Sequence, residues 1–230
     1  MVFDPLYFLF VGPAMLLAFA AQWMTKSAFK KYSRVRTARN ITGAQAAQAL
    51  LDHAGIRDVK VVQTQGFLSD HYNPVNKTLA LSEAVYSQPS VAAVGVACHE
   101  AGHAIQHARS YAPLWVRSAL VPTVGIGSSL GFYGMMIGAF MGFKGLVLLG
   151  AVLFSGVLLF QLVTLPVEFD ASARAKKLSF EQGLILPSER EGVSKVLNAA
   201  ALTYVAAAVS SLMTLLYFLY KAGFLGGRSD

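Results

Sequence analysis

The chain has 230 residues, of which 55% are hydrophobic and 13% are charged, and its formal net charge is +7. This composition is too apolar for an ordinary soluble protein. The positive charge does not indicate nucleic-acid binding, because the basic residues lie beside apolar segments without interleaved aromatic residues. We expect them to face the anionic headgroups of membrane lipids instead. The single cysteine, Cys98, excludes an internal disulfide bond.

Four apolar windows without a charged residue follow one another along the chain. They run approximately from Leu6 to Met24, from Leu120 to Phe143, from Gly145 to Leu165 and from Ala199 to Tyr220. At about 1.5 Å rise per residue, each window can cross roughly 30 Å of hydrocarbon as a helix. One such window could be a buried helix of a soluble protein. Four in so short a chain predict a mainly α-helical membrane protein with about four transmembrane helices.

The basic residues around the first window predict its orientation. Six of them follow it, namely Lys26, Lys30, Lys31, Arg34, Arg36 and Arg39, and none precedes it. Because Lys and Arg favour the cytoplasmic side, we expect the N-terminus outside and the chain from Lys26 inside, with only Lys144, Lys221 and Arg228 falling outside. Since no positive region leads into the first window, we expect a retained anchor rather than a cleaved signal peptide.

This orientation divides the chain into membrane and cytoplasmic segments. We predict an N-terminal anchor at 1–25, a cytoplasmic unit at 26–118, a transmembrane hairpin at 119–166, a cytoplasmic segment at 167–198, a C-terminal transmembrane helix at 199–221 and a tail at 222–230. The protein is therefore expected in the cell membrane, and a site built from its polar segments is expected to face the cytoplasm.

The cytoplasmic unit at 26–118 has the pattern of a small α/β fold. In chain order we predict a helix from Ala44 to Leu51 that stops at Gly55, a strand from Val59 to Val62, a strand-like piece near Phe67, a turn at Asn73-Pro74 and a strand from Thr78 to Leu81. Ser90 can then cap a helix that runs to about Arg109. Pro113 prevents this helix from continuing much further.

The predicted helix after Ser90 carries the segment VACHEAGHAIQH, residues 96–107. His99 and His103 are four residues apart, so both imidazoles lie on one face and can bind one metal ion. Glu100 is rotated by about 100° from His99, which is where a general base acting on a water molecule belongs. A chance match on a solvated helix face is the alternative, but the spacing favours a zinc site.

A third protein ligand is needed, and two residues are candidates. His107 lies about 12 Å beyond His99 along a continuous helix, so it is better placed to support a ligand than to be one. Glu168 lies in PVEFDASARAKKL, where Pro166 allows a fresh helix to begin. This carboxylate could merely cap that helix, but the predicted topology returns it to the side of His99 and His103. We therefore choose Glu168.

Together, VACHEAGHAIQH, GFLSDHYNP, VEFDASARA and the four apolar windows resemble the YugP-like neutral zinc metallopeptidases, prokaryotic membrane proteins related in plan to gluzincins. The resemblance covers nearly the whole chain. It implies a gluzincin-like α/β unit, one Zn²⁺ per chain held by His99, His103 and Glu168, and Glu100 as the base. It also implies that a peptide substrate lies along an edge strand at Gly66, Phe67, Leu68, Ser69 and Asp70.

One position departs from the more distant membrane gluzincins. The stretch Glu168-Phe169-x-Ala171 is similar to their Glu-Phe/Tyr-x-Ala-Asp motif, but Ser172 stands where they have Asp. The resemblance therefore implies that Asp170 or another acid supports the ligands.

The residue that stabilises the reaction's oxyanion is left open by the sequence. A tetrahedral oxyanion needs an additional hydrogen-bond donor. His71, Tyr72 and Arg174 are the candidates, and ordinary roles on a strand or in membrane topology are possible for each.

These patterns predict a membrane metalloendopeptidase that hydrolyses peptide bonds of membrane or membrane-associated proteins. Two alternatives remain: a non-catalytic scaffold with a structural zinc, whose fourth coordination position would be filled by the protein, and an intramembrane protease. The latter requires the motif inside a span, whereas Glu100, Arg109 and Arg117 favour an interfacial position.

Overall fold

A computed structural model describes residues 4–225, except for the side chains of Thr123 and Ile126. In chain order, these residues form α1 (Pro5–Tyr32), α2 (Gly43–His53), β1 (Lys60–Thr64), β2 (His71–Asn73), β3 (Thr78–Ser82), α3 (Glu83–Tyr86), α4 (Val91–Ala108), α5 (Ala112–Met141), α6 (Lys144–Glu181), a 3-10 turn at Pro187–Glu189 and α7 (Arg190–Lys221). The end of the predicted tail, with Arg228, lies outside the described residues.

The described chain forms two compact units. One contains the described parts of 1–21, 116–165 and 203–230, and the other contains Gln22–Trp115 and Pro166–Leu202. We call them the apolar unit and the polar unit. The helices α1, α5, α6 and α7 thus each contribute to both units.

Long helices coincide with the four predicted windows. Three helical segments are long and apolar enough to cross a membrane, namely Pro5–Tyr32, Lys144–Glu181 and Pro187–Lys221. A fourth candidate is the pair Ala112–Pro122 and Gly127–Met141, which is bent by 58°. Pro122 accounts for the bend, because proline lacks the amide hydrogen that a straight helix needs. The chain is therefore mainly helical, with three or four candidate spans and a small sheet.

Within the apolar unit, α5 and α6 pack with their backbones close together. A Cβ atom placed on Gly150 would lie 2.7 Å from the Gly131 oxygen and 2.6 Å from the Met135 nitrogen. Small residues at such crossings are the usual basis of helix association in lipid. The start of α1 is tied to the end of α7, where Tyr217 donates to Asp4 (2.9 Å) and Lys221 forms an ion pair with the same carboxylate.

The polar unit confirms the predicted α/β order. Helix α2 begins at a capping box in which Thr42 and Gln45 exchange side-chain and backbone hydrogen bonds. The sheet has the order β1-β3-β2, with β1 parallel and β2 antiparallel to β3. Its core is formed by buried apolar residues of α2, β3 and α4, among them Leu50, Leu51, Leu79, Leu81, Val94, Ala97, Ala101 and Ile105.

Two sequence-based expectations about local structure were wrong. Gly66–Asp70 is not a strand but a loop between β1 and β2, because Gly66 and Leu68 have φ values of +104° and +55°. Asp70 closes this loop by accepting hydrogen bonds from the Ser82 backbone (2.7 Å) and hydroxyl (3.0 Å). No fresh helix begins at Pro166, because α6 continues through it. The antiparallel edge of the sheet is β2, which begins directly after the predicted segment, at His71.

Candidate metal centre

Helix α4 carries the histidine pair and begins and ends close to the predicted positions. Ser90 caps it by accepting a hydrogen bond from the Ala93 amide (3.2 Å), and the helix runs without interruption from Val91 to Ala108. Its regular turn places His99 and His103 on one face, with ring centroids 4.7 Å apart. Most of α4 is buried, so the two imidazoles are presented by a rigid element.

Glu168 reaches these histidines because α6 crosses α4 at very short range. A Cβ atom placed on Gly102 would lie 2.9 Å from the Ala171 carbonyl oxygen and 3.3 Å from its Cα. Gly102 lies between His99 and His103 in sequence, and Ala171 lies one turn beyond Glu168. The absence of a side chain at Gly102 therefore lets the third candidate ligand approach the other two.

The three side chains converge on one point. His99 Nε2 lies 3.2 Å from both His103 Nε2 and Glu168 Oε2, and His103 Nε2 lies 3.6 Å from Glu168 Oε2. Tetrahedral zinc with ligands at 2.0–2.2 Å separates neighbouring ligand atoms by about 3.3–3.6 Å. Two imidazole nitrogens and one carboxylate oxygen are also a common donor set for zinc. The residues therefore fit a zinc ion, as a group of three metal-ligating side chains.

The charges around the pair favour a cation at this point. Burial lowers the pKa of His103, but its hydrogen bond with Glu168 and the charges of Glu100 and Glu168 outweigh burial and raise it above the ordinary value. The field that stabilises a proton on His103 stabilises any positive ion between these side chains. Glu100 is itself buried, with 8% of its surface exposed.

The outer nitrogens of the two imidazoles have different partners. His99 Nδ1 lies 3.1 Å from the Ser172 hydroxyl, and His103 Nδ1 lies 3.0 Å from Gln106 Oε1. Ser172 thus contacts the histidine at the position where the membrane gluzincins have Asp. Asp170 contacts Gln106 and Arg174, so the expected acid supports His103 only through Gln106.

The remaining predicted site residues fall into separate groups. His107 lies outside the ligand group: its Nδ1 is 2.7 Å from the Tyr72 hydroxyl, and its ring contacts Trp115 at a centroid distance of 5.3 Å. His71 Nδ1 is hydrogen-bonded to the Ser69 carbonyl (2.8 Å). Arg174 donates to Asp170 from Nε and Nη2, at 2.6 and 3.2 Å.

Sequence analysis missed Gln106 altogether. It is fully buried and three residues from His103 on α4, so the i,i+3 spacing was a signal that could have identified it. The contact of Ser172 with His99 had no comparable local signal, because 73 residues separate the two in the chain.

Comparisons with known proteins agree with this geometry. The model of a family described as "Putative neutral zinc metallopeptidase" matches residues 7–223. The "Putative membrane protease YugP" of Bacillus subtilis (strain 168) is 46% identical over 227 residues, which cover 97% of this chain and 99% of that protein. No solved structure matches the chain. Since the family model spans most of the sequence, the chain belongs to the neutral zinc metallopeptidase family that this model describes.

Proposed function

We propose that this protein is a membrane-bound zinc metalloendopeptidase that cleaves membrane or membrane-associated proteins. The observation that carries the proposal is the triangle of His99, His103 and Glu168 atoms, whose 3.2–3.6 Å edges fit one tetrahedral zinc ion. Glu100 supplies the remaining requirement, a carboxylate adjacent to the ligands on the same helix. The family supports zinc peptidase chemistry for the chain as a whole.

In the proposed reaction, the metal and Glu100 have separate roles. Zinc, when bound, supplies Lewis acidity that lowers the pKa of water and polarises a peptide carbonyl. Glu100 accepts the proton of the attacking water at its carboxylate and later gives it to the leaving amine.

Tyr72 is the oxyanion donor that the geometry favours. Side chains alternate across a strand, so Tyr72 and His71 of β2 point to opposite faces. The Tyr72 hydroxyl contacts His107, one turn beyond His103 on α4, whereas Arg174 is engaged by Asp170. Burial and the nearby charge of Asp58 raise the pKa of Tyr72 to about 12, so the phenol stays protonated. In our proposal His107 donates to the phenol oxygen, which leaves the hydroxyl proton for the substrate.

Two observations favour this function over the alternatives. The ligand group has three members among the described residues, the number typical of catalytic zinc sites, whereas structural sites use four. All three belong to the polar unit, as do Glu100 and Tyr72, which favours a site outside the hydrocarbon over intramembrane cleavage. In this proposal, the peptide substrate lies along the strand β2 rather than along the loop Gly66–Asp70.

We further propose that the protein is a multi-pass protein of a prokaryotic cell membrane with the site in the cytoplasm. The support is the basic cluster from Lys26 to Arg39 next to the first candidate span. We propose that the membrane and cytoplasmic segments of this topology meet at 25/26, 118/119, 166/167 and 198/199.

Metal analysis of the purified protein tests the ligand set. We expect one zinc per chain, loss of the metal in Glu168→Ala, and retention in His107→Ala, because Glu168, unlike His107, faces the two imidazole Nε2 atoms. Loss in His107→Ala together with retention in Glu168→Ala would show that the ligand set is wrong.

Replacing Glu100 by Gln tests the chemistry. This change keeps the shape of the side chain and leaves the ligands in place, so zinc content should stay near one per chain. Cleavage of an unfolded test protein, measured in detergent or lipid, should fall by about 10²- to 10⁴-fold, the usual contribution of a general base. A wild-type protein with full zinc, a fourth protein ligand and no cleavage of a broad substrate panel would instead establish the scaffold alternative.

Tyr72→Phe tests the oxyanion donor, with His71→Ala on the opposite face of β2 as the matched control. Tyr72→Phe should lower kcat by about 10²- to 10³-fold with unchanged zinc content, because a donor used in the transition state is removed. His71→Ala should leave kcat within a few fold. Equal effects of the two variants would remove Tyr72 from this role.

Cysteine labelling tests the orientation. Lys144 and Gln63 are both exposed, and the native Cys98 is buried and serves as the unreactive background. In intact cells, a membrane-impermeant thiol reagent should label Lys144→Cys but not Gln63→Cys, and both should react after lysis. The reverse pattern would place the site outside the cytoplasm.

A further inference from the structure

We infer that Gln106 is a positioning residue that fixes the orientation and the tautomer of His103, and that Asp170 and Arg174 hold Gln106 in the required direction. This inference rests on the proposed metal centre but not on the proposed protease activity. It assigns a role to the fully buried amide on α4 and to the ion pair on α6 that the reaction itself does not use.

Both ends of the Gln106 amide are engaged. Its Oε1 lies 3.0 Å from His103 Nδ1, and its Nε2 lies 2.8 Å from both the Val167 carbonyl oxygen and Asp170 Oδ2. Val167 immediately precedes the ligand Glu168. One side chain of α4 therefore contacts a histidine ligand of its own helix and the backbone next to the ligand of α6.

The chemistry of the partners leaves one arrangement of protons. The Val167 carbonyl can only accept, and Asp170 Oδ2 already accepts from Arg174 Nε, so the two N–H groups of the Gln106 amide point to these two oxygens. The amide oxygen is then the group that faces His103, and an amide oxygen can only accept. The neutral imidazole of His103, the form that binds a metal, must therefore carry its proton on Nδ1, which leaves the Nε2 lone pair directed at the point shared with His99 and Glu168.

Arg174 secures the other end of this chain of contacts. Its two hydrogen bonds to Asp170 hold that carboxylate in place beside Gln106, and its guanidinium lies 6.0 Å from the Tyr111 ring centroid. The Arg174 and Asp170 side chains are 23% and 28% exposed. A line of directed hydrogen bonds thus leads from the protein surface to His103.

His99 is held less strictly. Its Nδ1 partner is the Ser172 hydroxyl at 3.1 Å, and a hydroxyl can either donate or accept. Ser172 alone therefore does not determine which nitrogen of His99 carries the proton. The two histidine ligands are anchored unequally, and the stronger anchor is at His103.

The experiment measures zinc affinity of the full-length protein in detergent by competition with a chelator, and records the visible spectrum of the Co²⁺-substituted protein. Gln106→Met, which keeps the length but removes both hydrogen-bonding ends, should weaken zinc binding by about 10- to 100-fold and alter the Co²⁺ spectrum. Gln182→Met is the matched control, since Gln182 also contacts a histidine, the exposed His53, and should change neither. Ser172→Ala should lose less affinity than Gln106→Met.

A pair of charge-changing variants distinguishes a positioning role of Gln106 from a packing role. In Gln106→Glu, a carboxylate faces both the Val167 carbonyl and Asp170, and zinc affinity should fall. Adding Asp170→Asn restores a donor at one of these two contacts and should recover part of the loss, a coupling that independent sites do not show. Thermal unfolding of the metal-free variants verifies that each is folded.

Three results would overturn the inference: wild-type zinc affinity and Co²⁺ spectrum in Gln106→Met, a loss in Gln106→Glu that adding Asp170→Asn fails to recover in part, or a loss in Ser172→Ala as large as in Gln106→Met. A wild-type protein that binds zinc but cleaves nothing would contradict the protease proposal and leave this inference standing. A wild-type protein without zinc affinity would overturn both.

Discussion

The distance between α4 and α6 is the constraint on which the metal centre depends. Two candidate ligands belong to one helix and the third to the other, and the helices meet where Gly102 leaves only 2.9 Å between an added Cβ and the Ala171 oxygen. Any larger residue at Gly102 has backbone as its neighbour, which cannot move aside as a flexible side chain can. The candidate ligands and their contacts with Ser172 and Gln106 all lie within about two turns of this crossing. The distance between the two helices therefore also fixes the positions of these side chains.

A second constraint is electrostatic. Glu168 is 1% exposed and Glu100 is 8% exposed, and buried carboxylates are costly unless they are paired. The two imidazoles compensate this charge only when they are protonated or when they share a cation with Glu168. The sequence thus places two acids where folding alone would avoid them, an arrangement typical of sites selected for function rather than stability.

The sequence was most informative where the signal is local. The α4 cap at Ser90, the histidine spacing and the apolar windows each depend on residues a few positions apart, and the structure confirms the corresponding helices. The expectation of a strand at Gly66–Asp70 was wrong because the apolar residues Phe67 and Leu68 do not indicate a strand here. Phe67 instead packs edge-on against Phe29 of α1, at a centroid distance of 5.5 Å. Pro166 was overinterpreted, since proline weakens a helix without always ending it. The contacts of Ser172 with His99 and of Asp170 with Gln106 join α6 to α4, and no local pattern encodes them.

The continuity of α6 through Pro166 has a consequence for biogenesis. The segment that supplies Glu168 is the same helix whose first part is the most apolar of the three unbent candidate spans, and Glu168 is 69 residues beyond His99 in the chain. During synthesis, α4 with both histidines emerges well before its carboxylate partner, and two imidazoles alone form an incomplete site. All three candidate ligands are present only after α5 and the apolar part of α6 have been made, so a nascent chain stalled earlier lacks the Glu168 carboxylate.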